Sequence, residues 1–292
     1  MTDKPRHRSG YTAEDTELVW SACLTIAVSL GAYLDDLVIV GGMVPALLID
    51  TQREGPSDEL HPGTNDLDIG LSLGVLDGQR YAAISERLRA ENFEPDTSNA
   101  GNPTVQRWHR SGLKVDFLIP QAAGQPEGRR IHNLEPDFGA IVTPGLELAF
   151  AERVQIELHG TTLTGERATR VVPVCGPAAF VVLKALAFAD RSEPKDAYDL
   201  VYVLRHTPGG SRAVADQLKL HASGDAGIVD RAIQLLARDF ATIDHTGPRR
   251  AAEFEYLDPN ERDNAAADAH GVVDDLLTAF RAETVVRRPP TR

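Results

Sequence analysis

Two neighbouring aspartates in a short apolar stretch are the residues best suited to do chemistry. Asp66 and Asp68 alternate with Leu67 and Ile69, and side chains two apart on a strand point to the same face. Two adjacent carboxylates repel each other, so one pKa rises unless a cation compensates. Oxygen ligands of this type suit Mg²⁺ or Mn²⁺. The pair therefore predicts a divalent-metal site, while a solvated strand face or a turn cap fits the pair alone equally well.

A third aspartate lies in a second apolar stretch. Asp116 is flanked by Val115 and Phe117 in the run Leu113–Ile119. Burial of an unpaired charge is costly, so a carboxylate in this position needs a partner. A metal shared with the first two aspartates would supply one.

A glycine pair precedes these aspartates. The apolar stretch Leu37–Val40 predicts a strand that stops at Gly41-Gly42, and the apolar segment Met43–Ile49 predicts a buried helix. Glycines let a backbone approach a ligand closely. A strand, a glycine turn and a helix therefore come before the two aspartates.

The second half of the chain carries another charged group. Lys184 lies in the apolar helical stretch Val181–Phe188, and a lysine there requires an anion within reach. On the next helix Asp196 and Asp199 share a face, and Lys195 can pair with Asp199 at a spacing of four. Lys184 therefore either pairs structurally, extends to solvent or meets an anionic ligand.

Secondary-structure patterns predict an α+β fold with an α/β core. Helices and short strands alternate up to Cys175, and beyond Pro177, a residue suited to the first helical position, the pattern is helical throughout. The predicted divisions are a disordered N-terminus (1–11), the core (12–175), a helical C-terminal domain (176–283) and a disordered tail (284–292).

Composition indicates an ordinary globular chain with an acidic balance. The net charge is −13 over 292 residues, so any nucleic-acid partner requires a local basic patch. We found no apolar segment long enough to cross a membrane and no signal peptide. Cys23 and Cys175 show no metal-ligand spacing and predict reduced core thiols in a cytoplasmic protein.

The residues around Asp66 and the charged residues around Lys184 both resemble those of one protein family. The strand before Gly41-Gly42, the Asp66-x-Asp68 pair and the apolar setting of Asp116 resemble the DNA polymerase β-type nucleotidyltransferase superfamily. Within it, the AbiEii-like toxins, including the mycobacterial MenT toxins, are more similar. Their C-terminal motif of lysine, arginine and basic-Asp-x-x-Asp-Leu is matched by Lys184, Arg191, Lys195-Asp196 and Asp199-Leu200.

The resemblance implies a polymerase β-like core with a mixed sheet, and it implies roles for individual residues. Lys184 would contact the nucleotide phosphates, and the hydroxyl of Thr64 would touch the phosphates or the metal. The implied metal ligands are Asp66, Asp68 and Asp116. The implied nucleotide-binding residues are Gly41, Gly42, Thr64 and Arg191, and the implied catalytic residues are Asp66, Asp68, Asp116, Lys184 and Asp199.

The expected activity is transfer of NMP from an NTP, with Mg²⁺ or Mn²⁺, to an acceptor. The resemblance suggests the 3′ end of tRNA as the acceptor and a cognate antitoxin as a partner. Two alternatives remain open. The acidic charge favours a small-molecule transferase of the aminoglycoside-modifying type or a protein nucleotidyltransferase, and a non-catalytic nucleotide-binding or partner-binding module is the third hypothesis.

Overall fold

The computed structural model describes residues 5–52, 60–72, 78–98, 101–122, 130–222 and 226–282. The strands are β1 (Leu37–Val40), β2 (Asp66–Leu71), β3 (Glu94–Thr97), β4 (Pro103–Arg110), β5 (Leu113–Pro120), β6 (Arg130–Glu135), β7 (Phe138–Thr143), β8 (Arg153–Thr161) and β9 (Arg167–Cys175). The helices are α1 (Ala13–Ser29), α2 (Val44–Leu48), α3 (Gly78–Ala90), α4 (Leu146–Ala151), α5 (Pro177–Arg191), α6 (Pro194–His206), α7 (Gly210–Ala222), α8 (Ala226–Asp239), α9 (Thr246–Glu255) and α10 (Pro259–Arg281).

All of these strands belong to one mixed sheet. Its main path runs β3-β4-β5-β2-β1-β9-β8, while β7 pairs with the end of β5 and with β6. The pairs β2–β5 and β1–β9 are parallel, whereas β1–β2, β4–β5 and β8–β9 are antiparallel. The predicted fold class, an α+β core with a mixed sheet followed by helices, is confirmed.

Alternation of side chains fixes which face of the central strands is buried. Leu67, Ile69, Val115 and Phe117 have no exposed surface and pack into the main hydrophobic core. Because neighbouring residues on a strand point to opposite faces, the aspartates between them project from the other face. Burial of these apolar side chains therefore sets the direction of the carboxylates.

Local sequence explains where the main helices begin. Thr12 forms a capping box with Asp15 at the start of α1, where its hydroxyl accepts a hydrogen bond from the Asp15 N–H at 3.1 Å. At α5, Pro177 takes a first-turn position, and the Glu152 carboxylate accepts from the N–H groups of Ala178 and Ala179. A carboxylate at a helix N-terminus also interacts favourably with the helix dipole.

Several elements differ from the sequence prediction. The short strands β3 and β6 and the helices α4 and α9 were not predicted, because each is too short or too polar to show clear periodicity. Helix α2 (Val44–Leu48) is shorter than the predicted helix Met43–Ile49, because a 3₁₀ turn at Gly41–Met43 precedes it. The division at residues 175 and 176 stays a prediction, although strand gives way to helix there.

The N-terminal segment is more ordered than predicted. A 3₁₀ turn covers Arg8–Gly10, and the Arg8 guanidinium donates to the Tyr198 hydroxyl at 2.7 Å and to the Leu60 carbonyl at 2.5 Å. The sequence predicted disorder for residues 1–11, whereas in the described part of this segment Arg8 contacts part-buried acceptors on Tyr198 and Leu60. Residues 1–4 and the predicted tail at 284–292 lie outside the described residues.

Two further expectations concern the chain as a whole. Cys23 and Cys175 are both buried free thiols, and burial raises the pKa of each of them. No helix in the described part of the chain combines the length and apolar character needed to cross a membrane.

Candidate active site

Strand register places the three aspartates on one face of the sheet. Across β1, β2, β5 and β4, Val40 lies opposite Asp68, Asp68 opposite Asp116, and Asp116 opposite Arg107. In the adjacent row on the same face, Asp66 lies opposite Lys114. Each row therefore runs from a carboxylate on β2 to a basic residue on β4 or β5.

The glycine turn lies directly beside these carboxylates. Gly41 has φ of +73°, and a Cβ atom at this position would clash with the Asp68 carboxylate. A Cβ at Gly42 would lie 2.7 Å from the Thr64 hydroxyl oxygen. That hydroxyl donates to Asp66 Oδ1 at 2.7 Å. The turn, Thr64 and the two β2 carboxylates thus form one continuous surface that has no room for larger side chains.

Asp116 has a different partner from the one expected. Arg107 Nε donates to Asp116 Oδ1 at 2.6 Å, and Arg107 Nη2 donates to Oδ2 at 2.5 Å. This bidentate pair occupies both oxygens of the carboxylate, and Asp116 raises the pKa of Arg107 further above its usual value. The guanidinium therefore compensates the buried charge that the sequence assigned to a shared metal, and the role of Asp116 as a metal ligand stays a prediction.

The donor set was tested for its fit to a divalent ion. Within the part of the chain that the structure describes, no cluster of three or more histidine, cysteine or acidic side chains forms a ready metal site. Mg²⁺, however, is often held by one or two carboxylates together with water and substrate phosphates. Asp66 and Asp68, side by side on β2 next to the glycine turn, fit that mode of binding.

The C-terminal motif forms a buried charge network. Lys184 Nζ donates to Asp196 Oδ1 at 2.8 Å and to Asp199 Oδ2 at 2.7 Å. Lys195 also donates to Asp199, and Arg191 binds Asp196 through two nitrogens. Only 7% of Lys184 and none of Asp199 is exposed. The predicted residues do meet, but Lys184 and Arg191 already have carboxylate partners.

Electrostatics stabilise the charged forms of most of this network. Burial raises the pKa of Asp199, but Lys184 and Lys195 outweigh this effect and hold the pKa well below its usual value. The pKa of Asp196 falls to about 2, since Lys184 and Arg191 outweigh its burial. Burial opposes the charge of Lys184, yet Asp196 and Asp199 raise its pKa overall. For Lys195, burial and the nearby Lys184 lower the pKa.

A histidine that the sequence did not single out completes the network. His61 Nε2 lies 2.8 Å from Asp199 Oδ1, and both side chains are fully buried. The Gly63 N–H donates to His61 Nδ1 at 3.0 Å, so Nδ1 is an acceptor and the proton resides on Nε2. Burial, with Lys195 and Lys184 nearby, lowers the pKa of His61 to about 4. His61 is therefore a neutral donor to Asp199.

A second layer holds the histidine in place. The ring of His61 stacks on Tyr198, and the edge of Tyr202 approaches it at 5.0 Å between centroids. Asp50 accepts hydrogen bonds from the backbone N–H of His61 at 2.9 Å and from the Tyr202 hydroxyl at 2.5 Å. These contacts tie the loop before β2 to helix α6.

A cavity of about 970 Å³ joins the sheet face to the charge network. Its wall includes the glycine turn, Thr64, Asp66, Asp68 and both lysines of the network. Basic residues also come from β4, β5 and α8, and in the lining as a whole cations are about as numerous as carboxylates, unlike in the chain overall. The basic residues contributed by these elements are Arg107, Lys114, Arg231 and Arg238.

Lys114 differs from the other lysines of the cavity. It is partly exposed on β5, opposite Asp66, and no ion pair joins it to another described residue. Lys184 and Lys195, by contrast, each contact a carboxylate within 3.0 Å. Of these three lysines, Lys114 is the one with its charge available to an incoming anion.

Sequence reasoning therefore located most of this site and missed part of it. Nothing in the sequence pattern pointed to His61 as a site residue, because a single histidine in a polar loop is not part of a motif. Arg107 lies across the predicted β-hairpin from Asp116, and this spacing could have revealed the pair. His109 and Lys114 also lie on the site face, whereas Arg129 lies outside the described residues.

One known protein family matches the part of the chain that contains these motifs. The family described as "Nucleotidyl transferase AbiEii toxin, Type IV TA system" matches residues 63–284. That range contains the three aspartates and the whole C-terminal network, while Gly41, Gly42 and His61 precede it. No curated protein matches the chain.

Proposed function

The chain belongs to the AbiEii family of nucleotidyl transferase toxins of type IV toxin–antitoxin systems, and from this premise we propose that it transfers NMP from an NTP to the 3′ end of tRNA. The observation that carries the proposal is the cavity that joins Asp66 and Asp68 to the Gly41-Gly42 turn and to basic residues. A cognate antitoxin is the expected protein partner.

The sheet residues support binding of a metal-bound triphosphate. Asp66 and Asp68 would hold Mg²⁺ or Mn²⁺, which would neutralise charge on the triphosphate and on the departing pyrophosphate. The Thr64 hydroxyl fixes the orientation of Asp66 through its hydrogen bond. Gly41 and Gly42 allow phosphate groups to approach the backbone closely. Lys114, which lies opposite Asp66 on strand β5, supplies a positive charge.

The buried network supports positioning rather than direct phosphate contact. Lys184 binds two carboxylates and is almost inaccessible, so we assign it to fixing α5 against α6. Arg191, held at the rim by Asp196, is 36% exposed in its side chain and can still meet a nucleotide phosphate. Asp199 anchors both lysines and His61. These assignments revise the role expected for Lys184 from the family resemblance.

The chemistry of the cavity favours an anionic acceptor. Lys114, which no ion pair joins to another described residue, would repel a polycationic small molecule and attract a nucleic-acid backbone. Arg107 and Arg238, by contrast, are paired with Asp116 and Asp239. The net charge of −13 favours the alternative, an aminoglycoside-type acceptor. The local charge of the site carries more weight than the total charge, because interactions between exposed charges are screened within about 10 Å at 0.1 M salt.

The acceptor can be identified in one set of reactions. Purified protein is incubated with each α-³²P-labelled NTP, Mg²⁺ and either total tRNA, periodate-oxidised tRNA or an aminoglycoside. We expect label on intact tRNA and none on oxidised tRNA, which lacks a usable 3′ hydroxyl. Label on the aminoglycoside alone would replace tRNA with the small-molecule acceptor, and label on no acceptor with any NTP would contradict the proposed activity.

A further inference from the structure

The ion pair between Arg107 and Asp116 has a consequence for the number of metal ions at the site. We propose that Arg107 takes the place of a second metal ion, so that the site binds one divalent cation through Asp66 and Asp68 while the guanidinium neutralises Asp116. The proposal rests on the proposed nucleotidyl transfer and specifies how that site is charged. It departs from the arrangement that the family resemblance implies, in which Asp116 is a third metal ligand.

Backbone geometry builds the pair into the sheet. Arg107 and Asp116 are directly opposite each other in the β4–β5 hairpin, so their Cα positions are set by strand pairing. The two hydrogen bonds of 2.6 and 2.5 Å use both carboxylate oxygens. Only 6% of the Asp116 side chain is exposed, against 33% for Arg107. A cation bound to Asp116 would have to share its two oxygens with the Arg107 guanidinium.

The local charges point the same way. The guanidinium already offsets the charge of Asp116, so a second divalent ion at Asp116 would meet a neutralised carboxylate and a neighbouring positive charge. Lys184, Lys195 and Arg191 bond to Asp196 and Asp199 on α6 rather than to Asp116. The cation that compensates Asp116 is therefore the arginine.

The guanidinium also suits the position by its chemistry. It stays charged at any accessible pH, and its planar donors match a carboxylate at two points. A lysine in its place would keep one charge but lose the two-point contact, and a glutamine would lose the charge. These two substitutions separate the charge of Arg107 from its shape.

The test counts bound Mn²⁺. Protein is dialysed to equilibrium against Mn²⁺ and the α,β-methylene analogue of each NTP, which cannot undergo transfer, and free Mn²⁺ is measured by electron paramagnetic resonance. We expect about one Mn²⁺ per bound nucleotide in the wild type and about two in R107Q. R107K should remain near one, because its charge still occupies the position.

A control on the same strand is available. Arg110 belongs to β4 but contacts the backbone carbonyls of Glu91 and Leu163, so R110Q should leave the Mn²⁺ count at one. Thermal melting of each variant establishes that it is folded. If R107Q does not fold, the wild-type and R107K counts still decide.

Each outcome has a defined meaning. Two Mn²⁺ ions per nucleotide in the wild type would overturn the proposal, and so would a folded R107Q variant that still binds one. Absence of any nucleotide-dependent Mn²⁺ binding in the wild type, with all four analogues, would instead remove the proposed transferase function itself.

Discussion

Replacement of Asp199 by asparagine is expected to destabilise the protein strongly. Asp199 is fully buried and accepts hydrogen bonds from Lys184, Lys195 and His61. Asparagine keeps the shape of the side chain but removes the negative charge. Its amide nitrogen cannot accept the hydrogen bonds that one of the Asp199 carboxylate oxygens accepts. Lys184 then keeps Asp196 as a carboxylate partner, whereas Lys195 loses the carboxylate to which it donates.

The magnitude follows from the cost of an uncompensated buried charge. Removal of one partner from a buried ion pair usually costs about 3–5 kcal/mol, and a network with two dependent lysines should lie in that range. For a chain of this size, such a loss corresponds to a decrease in melting temperature of roughly 6–20 °C. Urea denaturation, with the free energy of unfolding as the measured quantity, provides the test.

A nearby aspartate provides the control. Asp190 is exposed at the cavity wall, so Asp190→Asn should change the free energy of unfolding by no more than about 0.5 kcal/mol. If Asp199→Asn lost less than about 1 kcal/mol while abolishing activity, Asp199 would act on substrate and its structural assignment would be refuted.

Three further predictions concern separate parts of the site. As the pH falls from 6.5 towards 4, His61 takes up a proton in the unfolded chain but not in the folded protein. The free energy of unfolding should therefore fall by roughly 3 kcal/mol over this window. His61→Gln should flatten urea-derived stability over this window, and an unchanged slope would contradict the neutral histidine. Gly41→Ala and Gly165→Ala both place alanine at positive φ, at a cost of about 1–2 kcal/mol each. Only Gly41→Ala, whose Cβ meets Asp68, should abolish NTP binding in calorimetry, since space around Gly165 is open; equal effects of the two variants would contradict this reading. Lys114→Gln should weaken NTP binding about tenfold, or 1.4 kcal/mol, and unchanged affinity would show that Lys114 does not meet the triphosphate.

The sheet face of the site could be predicted from the sequence because strand periodicity is strict. Once Leu67, Ile69 and Phe117 are recognised as core residues, the aspartates between them must share the opposite face. The glycine turn followed from the end of an apolar strand at Gly41. These inferences depend on local sequence and on one repeated rule.

The parts that escaped prediction depend on contacts between distant segments. His61 and Asp199 are separated by 138 positions, and nothing in the loop around His61 indicates that it enters the core. The sequence placed Asp199 within reach of Lys184, and the structure adds Asp196 as a second carboxylate partner. For Asp116, the sequence indicated the need for a cation but did not indicate that the adjacent strand supplies one in Arg107.

The most direct test of the central claim is release of labelled pyrophosphate. NTPs labelled at the β and γ phosphates are mixed with tRNA, Mg²⁺ and either the wild-type protein, Asp68→Asn or the control Asp190→Asn. We predict that the wild type and the control release pyrophosphate and that Asp68→Asn does so at least about 100-fold more slowly, a loss of roughly 3 kcal/mol of transition-state stabilisation. Equal rates for Asp68→Asn and the wild type would contradict nucleotidyl transfer at this site.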